Sequence, residues 1–195
     1  MSNYPLSFTA GALLEEESRQ VAASLLRTGD VALAKSDIRA SGALHSRTET
    51  AGKRVLSELI FRLSPLSDFE LQLISQGDAV AARQFLWINC CLRYPLIREF
   101  AEGPLAGAFS ASDTRVEPNQ IEAFIWDRSQ QQPELAKTTP STKAKLRQVL
   151  GLMMLQAGLV NANRELVHGL LSPDLANIFD SYPEALNWTA GLRRI

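Results

Sequence analysis

Apolar residues recur along this chain at three- and four-residue intervals and almost never alternate, a pattern that predicts helices nearly throughout. Residues 12–27 place Leu13, Leu14, Val21, Ala22, Leu25 and Leu26 on a helix that stops at Thr28-Gly29, where glycine supplies a left-handed cap. Asp30 then caps a short helix over residues 31–40. Ser46 and Glu49 have the spacing of a capping box for a helix carrying Val55, Leu56, Leu59, Ile60 and Leu63, which Pro65 ends. Ser67 and Glu70 repeat the box ahead of a helix closed by Gly77. Asp78 opens the most apolar helix, residues 79–94, and Pro95 breaks it before residues 96–109 continue. These last two segments are the expected central spine.

Beyond Phe109 the pattern changes. Residues 109–118 are polar and rich in turn formers, which predicts a boundary between a helical domain at 1–112 and a second domain at 113–195. In the second, residues 119–128 read as a short amphipathic helix and Pro133 begins another. Thr139 caps a third whose first position is Pro140 and whose end is Gly158. The segments LV, NANR and ELVH that follow read as two short strands around a polar turn. Three helices and then a hairpin is the order of a winged helix-turn-helix. The expected fold is therefore all-α, mainly helical, with a small β-hairpin wing.

Charge changes this picture only locally. Lys and Arg number 20 against 21 acidic residues in a chain of 195, so nothing in the total marks a polyanion binder. Between Glu134 and Glu165, however, no acidic residue occurs, whereas Lys137, Lys143, Lys145, Arg147 and Arg164 do. On a helical wheel Leu146, Val149, Leu150, Met153 and Ala157 form the packed face of the third helix, and Ala144, Arg147, Gln148 and Gly151 lie opposite. Lys143 and Lys145 flank Arg147 on either side. Two readings stand at this point: a solvated start to a buried helix, or a recognition helix whose N-terminal half faces duplex DNA. On the second, Lys143, Lys145 and Arg147 reach phosphates, Gln148 reaches a base edge, and Asn161, Asn163 and Arg164 on the wing touch the neighbouring backbone. A weaker copy of the pattern lies upstream, where the helix after the turn at Ser41-Gly42 carries Arg47, Lys53 and Arg54 with Glu49 and Glu58 among them. Three-helix packing without a ligand is the preferred reading there.

Little else suggests chemistry. Neither G-x-x-x-x-G-K-[ST] nor G-x-G-x-x-G occurs, which argues against a nucleotide-driven motor. His45 and His168 lie in no metal or nucleophile motif, with a phosphate contact the one role left to His168. Pro173-Asp174 is followed by no acidic-x-Lys triplet to gather Mg²⁺, and is read as the start of a short helix capped by Ser172. Cys90 and Cys91 are adjacent, fit neither a disulfide framework nor zinc spacing, and read as core residues in a reducing compartment. No catalytic residue, metal site or cofactor is expected. The apolar run at 84–92 is far shorter than the roughly 18 residues of a spanning helix, and Glu15, Glu16 and Glu17 interrupt any leader, so a cytoplasmic protein without membrane insertion is expected.

Several segments together resemble a known family. SFTAGALLEEESRQVA near the N-terminus, LWINCCLRYPLIREF in the middle, STKAKLRQVLGLMMLQAGLV and the closing LLSPDL are similar to the BrxA family of bacteriophage-exclusion (BREX) defence systems, in the same order and with similar spacing. The resemblance covers most of the chain and rests largely on core patterns, so it fixes no base-reading residue. It implies a small all-helical bacterial protein with winged-helix elements, likened in shape to a helical RNA antitermination factor. It also implies DNA binding, within a multi-protein system that contains a methyltransferase and ATPases. The expected function is a non-enzymatic double-stranded DNA-binding component of such a system, contacting mainly phosphates with weak sequence preference. The alternative is a scaffold that docks other BREX subunits through exposed Trp87, Trp126 or Trp188, or through the tail NWTAGLRRI. RNA ranks below both, because no RNP-like aromatic strand motif is present.

Overall fold

Among the described residues, side-chain caps open five of the helices that the sequence predicts. The structure is a computed structural model describing residues 4–44, 46, 48–111 and 115–193. A 3-10 turn at Ser7–Ala10 leads to α1 (Glu15–Thr28), which Gly29 closes at φ 63°. Asp30 Oδ1 accepts from the Leu33 amide at 2.8 Å and opens α2 (Val31–Ser41). α3 (Glu49–Leu63) is capped by Thr48, not by Ser46 as the box spacing predicted. Thr48 holds the extended backbone immediately before the helix, so its Oγ1 is the one that reaches the third amide, that of Ala51, at 3.1 Å. The Ser67–Glu70 box is formed in full at the start of α4 (Asp68–Gln76), and Asp78 caps α5 (Ala79–Arg93). Tyr94 stands between α5 and α6 (Pro95–Phe100), and Pro95 takes the first helical position. Pro104, which has no amide to donate, lies in a π turn at Ala101–Leu105 that joins α6 to α7 (Ala106–Ser110).

Three more helices follow: α8 (Pro118–Ser129), α9 (Pro133–Ala136) and α10 (Pro140–Gln156), the last capped by Thr139. The architecture is mainly helical with a small β wing, as expected. α5 is the spine: Phe85, Leu86, Trp87, Ile88, Cys90 and Cys91 are all buried. α1 packs on α2, α3 and α4, while α10 packs on α8, on α5 and on the N-terminal 3-10 turn. Buried side chains from Tyr4 to Trp188 form one continuous core. The boundary expected at 112/113 falls at residues 112–114, outside the described residues.

Inside that core lies an ion pair. Arg62 and Glu58, one turn apart on α3, are buried and 2.7 Å from each other. Arg62 also donates to the Ala12 and Gly11 carbonyls at 2.6 and 3.1 Å, so it ties the N-terminal segment to α3. The Tyr94 hydroxyl donates to Glu58 Oε1, and burial pushes that phenol above its ordinary pKa. Glu58 therefore does not dilute any surface charge on α3, contrary to the sequence reading.

The C-terminal segment is folded into the body. Ser172 makes no side-chain cap to the 3-10 turn at Pro173–Leu175; its amide instead donates to Gln84 Oε1 on α5 at 2.9 Å. α11 (Ala176–Ser181) and a 3-10 segment (Pro183–Trp188) follow. The buried Trp188 indole donates to Glu102 at 2.7 Å, and its carbonyl accepts from the Trp87 indole at 2.7 Å. The chain then pairs β2 (Leu192–Arg193) in parallel with β1 (Gly169–Leu170), in the register Gly169 with Leu192. Gly191 makes that approach at φ 85°, where a Cβ would stand 2.1 Å from the Phe109 ring. The tail is thus neither a loose terminus nor a free docking peptide through residue 193, and Trp87 and Trp188 are not exposed anchors.

Candidate nucleic-acid interface

α10 is two-sided in the way its wheel requires. Leu146, Val149, Leu150 and Met153 are buried, as is Ala157 just beyond the helix end, together with Met154. Ala144, Lys145 and Gln148 are exposed, and Lys143, Arg147 and Gly151 are half-buried. Lys145 Nζ donates to Gln148 Oε1 at 3.2 Å, so these two side chains form one polar unit. Lys143 makes no ion pair among the described residues. Arg147 is paired with Glu122 on α8. The acid-free window of the sequence is therefore not acid-free in space, because antiparallel packing brings a carboxylate across from the middle of α10.

The predicted hairpin is present in compressed form. Val160 and Leu166 form an antiparallel bridge, and the Val167 amide donates to the Leu159 carbonyl at 3.0 Å. Asn161 organises the turn: its Oδ1 accepts from the Asn163 and Glu165 amides at 2.9 and 3.0 Å, and its Nδ2 donates to Glu165 Oε2 at 2.7 Å. Its polar atoms build the turn before any ligand arrives. Asn163 and Arg164 are exposed at the tip, and Arg164 holds the left-handed conformation at φ 62°.

A third segment, absent from the sequence reading, completes this small sheet. Arg115 bridges to Glu165 in antiparallel fashion and pairs with it through side chains at 3.3 Å. The Val116 amide donates to the Arg164 carbonyl at 3.1 Å. Hydrogen bonds from Asn161 and then Arg115 hold the Glu165 carboxyl below its ordinary pKa. Arg115 thus adds an exposed guanidinium beside the turn while neutralising its one carboxylate. Lys145 lies 12 residues before Ala157, about 18 Å along the helix axis, so α10 and the turn meet different stretches of any backbone they share.

The upstream candidates are engaged differently. Lys53 pairs with Glu49 at 2.6 Å within one turn of α3, and Arg54 donates to Thr9 Oγ1 at 2.9 Å. Arg47 and His45 lie outside the described residues. His168 packs edge-on against Phe109 with ring centroids 5.3 Å apart. Among the described residues no cluster of three or more His, Cys, Asp or Glu side chains could hold a metal, and no helix is long and apolar enough to cross a membrane. Cys90 and Cys91 are free and buried, and burial raises both thiol pKa values.

A profile of the BrxA family matches residues 2–181, nearly the whole chain. The chain belongs to the BrxA family. It is 24% identical over 154 residues to a BREX protein BrxA of Escherichia coli O9:H4 (strain HS), covering 79% of this chain and 72% of that protein. A BREX protein BrxA of Bacillus cereus (strain H3081.97) is 25% identical over 131 residues, 66% of each chain. The fold matches the crystal structure of an uncharacterized protein from Magnetospirillum magneticum with a TM-score of 0.85 at 17% identity, over 97% of this chain and 100% of that one. BrxA membership places the chain among BREX phage-defence components, and its curated relatives carry the name of a component rather than of a reaction.

One feature of this BrxA chain escaped the sequence, and one of its three candidate exposed tryptophans is exposed. Arg115 belongs to the turn only because residues 50 positions apart pair. Trp126 is the tryptophan left in solvent, 61% exposed, and with Lys143 and Arg147 it lines a groove between α8 and α10. Of the three tryptophans named as exposed anchors, it is the one that the fold leaves exposed.

Proposed function

We propose that this BrxA protein is a non-enzymatic double-stranded DNA-binding component of its BREX system, acting in the cytoplasm through the exposed half of α10 and the adjoining turn. The observation that carries the reading is the division of α10: its packed face is wholly apolar, while exposed Lys145 and Gln148 lie on the opposite side of its N-terminal half and half-buried Lys143 and Arg147 flank the packed face. In this reading α8, α9 and α10 with the bridged turn act as a winged helix-turn-helix. Lys143, Lys145 and Arg147 meet phosphates, and Gln148 lies nearest the bases. Arg164 and Asn163 at the turn, joined by Arg115, hold the next stretch of backbone. Asn161 shapes the turn rather than touching DNA. Contacts of this kind give strong salt dependence and weak sequence preference. Arg47, Lys53 and Arg54 are secondary phosphate contacts at most, since Lys53 and Arg54 already have protein partners.

The test is an anisotropy titration of the full chain with a short random duplex at several salt concentrations. The account expects salt-sensitive binding that is lost in a folded K143A/K145A/R147A variant. A triple variant that binds like the parent overturns the placement, and a parent that binds no duplex overturns the function.

A second reading, a scaffold that docks other BREX subunits, is favoured by one observation. Exposed Val80, Leu155 and Leu170 border a cleft of about 450 Å3 near the C-terminal end of α10, beside the β1–β2 pair. Loss of co-purifying BREX subunits in L155D/L170D, with DNA binding intact, would establish it alongside the first.

A further inference from the structure

The cationic side of α10 borders an aromatic. Trp126 on α8 is 61% exposed, and its indole N–H has no hydrogen-bond partner among the described residues, in contrast to the bonded, buried indoles of Trp87 and Trp188. With Ile125, Pro140 and Lys143 it lines a groove of about 240 Å3 between α8 and the first half of α10. Arg147 and Glu122 close the groove's other side, where the carboxylate is matched by the guanidinium. The site therefore has apolar walls and a net positive rim.

That combination fits a nucleobase with its phosphate. An indole face stacks on any base, and the neighbouring cations reach the phosphate that links it to the next sugar. In an intact duplex every base is already stacked between neighbours, so only an unpaired base is free to enter. We propose that the Trp126 groove holds an unpaired nucleobase, so that this BrxA protein prefers duplex DNA interrupted by an unpaired base to a continuous duplex. The inference rests on the DNA-binding reading above and deepens it. Lys143, Lys145 and Arg147 supply affinity for either form; Trp126 supplies the difference between them.

The test uses the full chain and two short duplexes that differ by one unpaired thymine. The wild type should bind the bulged duplex about fivefold or more tighter at equal salt, the lower end of what base–aromatic stacking contributes. W126A should bind both duplexes alike, within about twofold of the wild type on the continuous one. Because Trp87 and Trp188 are buried, the bulged duplex should quench the exposed part of the tryptophan emission in the wild type and leave W126F unquenched. Equal affinity of the wild type for both duplexes overturns the proposal, as does a preference that survives in W126A or an equal loss on both probes. A wild type blind to the bulge, with W126A impaired in co-purifying BREX subunits, assigns the groove to a protein partner instead. Failure of the continuous duplex to bind at all marks failure of the DNA-binding reading itself.

Discussion

Changing Glu122 to glutamine should strengthen duplex binding, and the gain should pass through Arg147. In the free protein the two side chains form an ion pair, with the arginine 37% and the glutamate 66% exposed. A pair so open to water is worth about 0–1 kcal/mol. Arg147 gives up or shares that pairing when it meets a phosphate, and Glu122 repels the same phosphate. E122Q removes both penalties while keeping the side chain's shape. Up to about 1 kcal/mol corresponds to about a fivefold gain in affinity. If Arg147 becomes a full phosphate contact, the slope of log K against log salt steepens by up to about 0.9. Over a fourfold salt range that adds up to about 3.5-fold to the change in affinity. The assay is anisotropy across that range for the parent, E122Q, R147A and E122Q/R147A. R147A should flatten the slope only by what the paired arginine still contributed, so that E122Q and E122Q/R147A differ in slope by about 0.9, and the double variant should keep only the smaller gain from loss of the Glu122 charge. An E122Q that binds more weakly, or that gains as much in the R147A background, refutes the reasoning.

Two further outcomes follow from the core and the turn. E58L strands a fully buried guanidinium and should cost about 3–5 kcal/mol in urea unfolding, whereas E58L/R62M should lose about 1–3 kcal/mol less than the sum of the two single changes; additivity within about 0.5 kcal/mol would mean that the pair of α3 is not coupled. At the turn, Glu165 titrates below its ordinary value of 4.5, and such a depressed carboxyl stabilises the fold above that value and loses its contribution as pH falls through the lower, folded one. N161A should raise the Glu165 pKa toward 4.5 in a side-chain NMR titration; a native Glu165 already titrating at the ordinary value would contradict the hydrogen-bonded turn.

Local chemistry explains what was legible in the sequence. Asp30, Ser67, Asp78 and Thr139 announce their helices because a cap acts on amides two or three residues away. The packed face of α10 was readable for the same reason, since its periodicity lies within one segment. What was missed depends on distant partners. Arg62 and Glu58, four apart on an amphipathic helix, look like a solvated pair, and only the fold of the N-terminal segment over α3 buries them. β1 and β2 are two residues each, too short for any alternation to show. Glu122 entered no reading of α10 because it is remote in sequence and adjacent only through helix packing. The cap at Thr48 shows a finer limit: two hydroxyls compete, and backbone conformation decides between them.

The most direct test of the central claim is a map of amide chemical-shift changes in the isotopically labelled protein on adding a short duplex at low salt. The account predicts changes concentrated at Lys143 to Gln148 and at Asn163, Arg164 and Arg115, with α3 around Lys53 and Arg54 little affected. Changes centred on α2 and α3, with α10 silent, would contradict it.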